Sequence, residues 1–133
     1  MPESDPPEWA AVWEPLVSTF DASAGPSLPA AECLALLGGG NSGVVVLSVE
    51  ALPMVVPVRY RTGTEGIHLT LPAGLPVAAA LDQQIVGLQA SGDDGAGGRW
   101  TVMAIGRSAA HPAAPPTGFV LTPTLVHGYR FEL

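Results

Sequence analysis

The sequence predicts a mainly β protein, a small six-stranded antiparallel barrel with few helices. From residue 43 onward, short runs rich in β-branched and apolar residues alternate with turns rich in Gly, Pro and Asp. Only one short helical segment crosses between the predicted strands, and no internal repeat is present. The chain has 133 residues, which is enough for one domain of this kind.

Residues 1–22 are predicted to form an amphipathic helix. Asp5 is suited to cap it, Pro6 takes the first helical position, and Glu8 completes a capping box. We expect the apolar stripe to dock on the chain's own domain. Binding of a partner is the alternative, because two tryptophans on one face suit an interface anchor. The stripe consists of Trp9, Val12, Trp13, Leu16, Val17 and Phe20.

Residues 23–29 are predicted to be a linker, and residues 30–133 form the barrel domain. A short helix begins at Pro29 and is ended by three glycines, residues 38–40. Cys33, the only cysteine, is expected to be a buried packing residue of this helix. A lone cysteine also excludes an intramolecular disulfide.

Six β segments follow in chain order. Pro57 indicates an edge or a bulge in the second of them, because proline cannot donate to a strand ladder. A hairpin connection over 62–66 leads to the third, and a short crossing helix beginning near Pro76 leads to the fourth. The predicted strands span 44–50, 54–61, 67–71, 84–90, 99–109 and 118–133.

Gly106 and Arg107 interrupt the otherwise regular fifth strand. Strand alternation places one set of its side chains on a single face, which narrows from Trp to Gly as a tapering barrel interior does. We therefore predict that Gly106 is a packing or bending device rather than a cofactor contact. Arg107 points the other way. The narrowing face consists of Trp100, Val102, Ala104, Gly106 and Ser108.

Charge and composition exclude several classes of function. The net charge is −7, and all five basic residues are arginines. An acidic chain does not suit nucleic-acid binding, and a chain without lysine has no Walker A loop and no Schiff-base chemistry. The apolar runs are too short to span a membrane, so the low charged fraction of 13% indicates a subunit interface. The beginning of the chain lacks signal-peptide features, and we expect a cytoplasmic protein.

Three segments resemble the pyridoxamine 5′-phosphate oxidase-like, FMN-binding split-barrel family. They are LPMVVPVRY (52–60), IHLTLPAG (67–74) and RWTVMAIGRSA (99–109), in the family's order. The tail LTPTLVHGYRFEL (121–133) is similar to the family's last strand. The resemblance implies a six-stranded split barrel, and a homodimer with two flavin sites at its interface.

The resemblance also implies a set of cofactor-binding residues. Two arginines alternate on one face of the second strand, so that both can grip one phosphate. A threonine and a glycine match the family's strand–turn positions, and two further residues match a strand that lines the flavin ring. Many relatives place a lysine after this turn, and this chain has none. The implied cofactor-binding residues are Val58, Arg59, Tyr60, Arg61, Thr70 and Gly74.

The predicted function is FMN binding, with flavin-dependent oxidation or reduction of a small molecule as the candidate activity. No catalytic residue is identified, because the flavin carries the redox chemistry in such enzymes. The alternative is a degenerate split barrel without flavin that acts as a binding module. The missing lysine, the short loop between Ser108 and Gly118, and the Trp-bearing helix favour that alternative.

Other roles for the same residues remain open from the sequence. The two arginines of the second strand can instead form salt bridges with Glu65 or Asp82. A haem or deazaflavin barrel is a further alternative, with His68 or His127 as the haem ligand. The three histidines, which include His111, lack metal-ligand spacing along the chain, so no metal site is predicted.

Overall fold

Six long strands and one helix form the part of the chain that the computed structural model describes, which is residues 9, 18–19, 27–74, 81–95, 97–111 and 118–132. The helix is α1 (Ala30–Gly38). The strands are β1 (Ser18–Thr19), β2 (Ser42–Val49), β3 (Leu52–Gly63), β4 (Gly66–Thr70), β5 (Gln84–Asp93), β6 (Arg99–Ala110) and β7 (Gly118–Phe131).

The long strands close into a barrel. Their order is β7-β4-β3-β2-β5-β6, and β6 pairs back onto β7. All of these pairings are antiparallel. This confirms the predicted mainly β class and the predicted six antiparallel strands. Within the described residues, no helix has the length and apolar character needed to cross a membrane.

The strand boundaries follow the predictions with small shifts. The β2–β3 hairpin turns at Glu50 and Ala51, whose φ values of 51° and 65° are those of a two-residue turn matching the twist of a hairpin. β4 pairs with β3 only from Arg59 onward, so Pro57 lies at an edge on that side, as predicted. The crossing helix predicted near Pro76 lies outside the described residues.

The core lies inside the barrel and beneath α1. Cys33, Leu34 and Leu37 of α1 are fully buried, which confirms the prediction for Cys33. The Tyr60 hydroxyl donates a hydrogen bond of 2.5 Å to the Leu37 carbonyl oxygen and so ties β3 to the end of the helix. Each fully buried leucine contributes about 1.5–3 kcal/mol of hydrophobic stabilisation. This packing holds the side chains of β3 in a fixed alternation of inward and outward.

The N-terminal segment differs in part from the predicted helix, most of which lies outside the described residues. Trp9 is helical, and its indole packs against Gly38 at the end of α1, which supports docking on the chain's own domain. Ser18–Thr19 does not continue a helix, because it pairs in parallel with Leu125 and Val126 of β7. β4 leaves this edge of β7 unpaired, and β1 provides hydrogen-bond partners for it.

Gly106 is a bending device of the barrel, as predicted. The register of β6 against β7 shifts between Ile105 and Gly106, which marks a bulge. A Cβ at Gly106 would overlap the Thr122 backbone carbonyl. Its strand neighbours confirm the predicted inward face, since Ala104 and Ser108 are fully buried. The chain therefore requires a glycine at this position to let β7 approach.

Candidate functional site

A group of polar side chains lies on the outer side of β3 and β4. The inner side of the same two strands is apolar and buried, as Ile67 and Leu69 show with 1% exposure each. Because strand side chains alternate, the polar positions between the buried ones face away from the core. We call this group the β3–β4 patch; its members are Arg59, Arg61, His68 and Thr70.

The strand register brings the members of the β3–β4 patch into cross-strand pairs. Arg59 lies opposite Thr70, and Arg61 lies opposite His68. Side chains paired in this way have Cβ atoms about 4.5–5.5 Å apart, so they act on one ligand or on each other. Both arginines are exposed. Two guanidinium groups and one hydroxyl are therefore presented together.

The two arginines of the β3–β4 patch differ from the other three in the chain. Arg99 pairs with Asp93 at 3.5 Å, Arg107 donates to the Gln83 carbonyl at 3.0 Å, and Arg130 pairs with Glu32 at 2.9 Å. Among the described residues, neither arginine of the patch forms an ion pair. Their charge is therefore available to an external anion.

The carboxylates that the sequence offered as alternative partners for these arginines have other contacts. The Glu65 carboxylate lies 3.5 Å from His68 Nε2. The Asp82 carboxylate accepts a hydrogen bond of 2.9 Å from the Ala110 backbone N–H. The salt bridges proposed from the sequence are thus not present among the described residues.

Three of the six predicted cofactor-binding residues share the patch: the two arginines and Thr70. Val58 and Tyr60 are 5% and 4% exposed, and their side chains point into the core. Their side chains therefore do not lie on the outer side with the two arginines. Gly74 lies in the exposed turn after β4, with a φ of +84° that favours glycine. Burial raises the pKa of Tyr60 to about 12.

The fold also brings His111 beside the patch, which the sequence analysis did not anticipate. The His111 backbone N–H donates 2.9 Å to the Gly118 carbonyl, and Gly118 pairs with Thr70 at the end of β4. The rings of His68 and His111 have centroids 5.4 Å apart. The sequence could not predict this contact, because His68 and His111 are far apart along the chain and are brought together only by the pairing of β4 with β7.

The surroundings of His68 lower its pKa and so favour the neutral imidazole. Burial lowers its pKa first, and the Arg61 guanidinium lowers it further. Glu65 acts in the opposite direction, and His111 adds a smaller lowering effect. A neutral imidazole presents a lone pair to a ligand or metal, rather than a positive charge.

An apolar surface continues from the β3–β4 patch along the outer side of the barrel. Pro57 lies two residues before Arg59, on the same side of β3. Across the β2–β3 pairing, Pro57 lies opposite Val44. Val55 and Ile85 are 63% and 59% exposed. We call this surface the outer apolar face; its members are Val44, Val46, Val55, Pro57, Ile85, Met103, Ile105 and Leu125.

Solved structures share this fold. An FAD-binding protein from Mycobacterium smegmatis has a TM-score of 0.70 at 22% identity, over 80% of this chain and 97% of that one. An FAD-binding protein from Mesorhizobium loti has a TM-score of 0.66 at 18% identity, over 78% and 94% of the two chains. A protein from Corynebacterium glutamicum named as a "putative pyridoxamine 5'-phosphate oxidase" has a TM-score of 0.63 at 18% identity, over 80% of this chain and 98% of that one.

These likenesses confirm the predicted split-barrel fold. No protein-family model and no curated protein sequence matches the chain. At this level of identity, the solved structures establish the architecture, and the function has to be argued from the residues of the site.

Proposed function

We propose that this protein binds a flavin and that the β3–β4 patch holds the flavin phosphate. The observation that carries the proposal is the pair Arg59 and Arg61, both exposed on one side of one strand and without an ion pair among the described residues. Thr70 lies opposite Arg59 and adds a hydroxyl. The split-barrel fold, shared with proteins named for FAD binding, supports the proposal.

The chemistry of the patch suits a phosphate monoester or diester. A guanidinium donates two parallel hydrogen bonds to phosphate oxygens, and a hydroxyl donates a third. Two arginines without an ion pair in the described part of the chain are also a local exception in a protein whose net charge is −7. The two arginines would attract a bound anion, while the negative charge of the rest of the protein would repel any part of the anion that extends beyond them. A compact, doubly charged group is therefore favoured over a large polyanion.

FMN is the flavin that the sequence resemblance implies, and a small molecule is the proposed substrate of flavin-dependent oxidation or reduction. The flavin would supply the redox chemistry, and the protein would supply binding and orientation. Val58 and Tyr60 enter this proposal through their backbone alone, since their side chains are buried. The turn at Gly74 is exposed to solvent and follows Thr70 by four residues, and its backbone N–H groups are proposed as further donors to the phosphate.

Replacing Arg59 with glutamine is expected to weaken FMN binding at least about tenfold, because a charge-assisted hydrogen bond contributes about 1.5–3 kcal/mol. The measurement is a titration of the full chain with FMN, and in parallel with FAD, followed by flavin fluorescence and visible absorbance. Arg99→Gln is the matched control, because Arg99 is exposed and its ion pair with Asp93 lies elsewhere on the barrel.

The outcomes of this titration separate the proposal from its rival. Saturable binding that Arg59→Gln weakens and Arg99→Gln leaves unchanged supports the flavin site. A wild-type protein that quenches neither FMN nor FAD would instead favour a split barrel that acts as a binding module. Equal weakening by both variants would assign the effect to overall charge and remove the patch from the site.

We further propose that the outer apolar face pairs with a second copy of this chain. When the same surface of two copies pairs, like charges on that surface would face each other and repel. The members of the outer apolar face are uncharged, so this repulsion does not arise among them. Exposed and half-buried apolar side chains grouped on one surface are typical of interfaces. The low charged fraction of 13% fits the same conclusion.

Val55→Glu is expected to shift the protein from dimer to monomer, because it would bring two carboxylates into an apolar contact on each association. Sedimentation equilibrium over a range of concentrations measures the change. Leu52→Glu is the control, since Leu52 is 67% exposed but lies outside the outer apolar face. A wild-type protein that is monomeric at all concentrations would contradict the dimer, as would an unchanged dimer of the Val55 variant.

A further inference from the structure

Three potential metal ligands from separate parts of the chain meet beside the β3–β4 patch. Glu65 lies in the turn before β4, His68 lies in β4, and His111 follows the last residue of β6. One carboxylate oxygen and one nitrogen of each imidazole all lie within 4.8 Å of one another. Within the described residues, this is the group of ligand-bearing side chains that the fold gathers most closely.

The two imidazoles of this group are positioned by the barrel itself. His68 is only 15% exposed and is held in the β4 ladder. The backbone N–H of His111 donates a hydrogen bond to the Gly118 carbonyl, and the centroid of its ring lies 5.4 Å from that of the His68 ring. Glu65 is 73% exposed in a turn and already lies 3.5 Å from His68 Nε2. The backbones of the two histidines are thus held by the sheet, and the Glu65 side chain lies in an exposed turn.

We propose that Glu65, His68 and His111 bind one divalent transition-metal ion of the zinc, cobalt or nickel type. Imidazole nitrogen and carboxylate oxygen are the ligands that these ions take in proteins. Ligand atoms around one tetrahedral ion lie about 3.4 Å apart, given metal–nitrogen bonds of about 2.0–2.1 Å. The three ligand atoms already lie within 4.8 Å of one another, so side-chain movements of about 1–2 Å would bring them to that spacing.

The geometry assigns this site an open coordination position. Three protein ligands leave at least one position for water or for an anionic ligand, as in catalytic rather than structural zinc sites. Arg61, opposite His68, is the charge that opposes a bound cation, and the Glu65 carboxylate offsets it. An anion bound at the open position would in turn be attracted by Arg61.

The metal site goes beyond the proposed flavin site and does not depend on it. The proposed phosphate contacts are Arg59, Arg61 and Thr70; His68 belongs to the same patch but is not one of these contacts. Arg61 lies beside both sites, where its positive charge favours binding of the phosphate and disfavours binding of the metal ion. Arg61→Gln should weaken FMN binding and tighten metal binding, because it removes a cation from both.

The test is a titration of the full chain, purified without a polyhistidine tag and without flavin, with Co²⁺ followed by its visible d–d absorption. We expect one Co²⁺ per chain. We also expect at least about a tenfold loss of affinity in His111→Asn, since even residues behind the ligands cost 10–100-fold. Glu65→Gln tests a ligand in an exposed turn, where the substitution does not threaten folding.

His127→Asn is the matched control, because His127 is the remaining histidine and its ring lies against Tyr129 on another part of the barrel. Loss of Co²⁺ affinity in the Glu65 and His111 variants, with His127→Asn unchanged, supports the site. Absence of saturable Co²⁺ binding, or an equal loss in His127→Asn, would overturn it. Retained Co²⁺ binding in a chain that binds no flavin would overturn the flavin proposal alone.

Discussion

Gly106→Ala is expected to lower the free energy of unfolding by about 3 kcal/mol, the upper end of the usual cost of overpacking a core. The added Cβ would overlap the Thr122 carbonyl, which is backbone and cannot rotate away. β7 would have to move away from β6 at the bulge, and this pairing contributes the longest ladder of the barrel. Urea denaturation followed by tryptophan fluorescence measures the loss.

Gly63→Ala is the matched control for this substitution. Gly63 also lies in a strand, but the nearest atom to a Cβ there is the Gly66 oxygen at 3.9 Å, which is an ordinary contact. We expect that variant to differ from the wild type by less than about 1 kcal/mol, the size of the Gly–Ala difference in backbone entropy. If both variants lost equal stability, the backbone contact at Gly106 would not be the cause.

The barrel could be predicted from the sequence because alternation and turn residues are local signals. Gly106 shows this well: a strand whose inward face narrows to glycine predicted both its burial and its role in bending. Local signals of this kind could not predict the contacts between the N-terminal segment and the barrel. Ser18–Thr19 pairs with β7 because β4 ends before Leu125, and that free edge exists only in the assembled sheet.

Some residues of the candidate site could likewise be predicted from local alternation, and others could not. The period of two in a strand placed Arg59 and Arg61 on one side from the sequence alone. The same period puts Val58 and Tyr60 on the opposite side, where the structure buries them in the core. Their assignment to the flavin rested on the family resemblance and not on the alternation. His111 joined the site only through β-strand pairing, which brings it close to His68.

Raising the pH from 9 to 12 is expected to remove several kcal/mol of stability, because two buried groups hold their protons in the folded state. Burial raises the pKa of Cys33 from 9.0 to about 11, with a smaller contribution from Glu32. Burial raises the pKa of Tyr60 from 10.0 to about 12. Between the unfolded and folded pKa of each group, the folded state binds more protons, so stability falls as the pH rises.

The size of this loss follows from the two shifts. Each pKa unit corresponds to about 1.4 kcal/mol, so the two groups together contribute about 5 kcal/mol that is present at neutral pH and lost by about pH 12. This is comparable with the whole stability of many domains of this size. Urea midpoints measured at intervals across this pH range give the profile. A flat profile would show that folding raises the pKa of neither group.

Tyr60→Phe separates the contribution of the tyrosine from that of the cysteine. At pH 8 the variant should be less stable by about 1 kcal/mol, because it loses the hydrogen bond to the Leu37 carbonyl. The cost is no larger because this carbonyl still accepts a hydrogen bond of 3.2 Å from the Gly40 N–H. Above pH 10 it should lose stability more slowly than the wild type, because phenylalanine has no proton to release. The two profiles should therefore cross between about pH 10 and pH 12. A Tyr60 variant that kept the wild-type slope would assign the alkaline loss to Cys33.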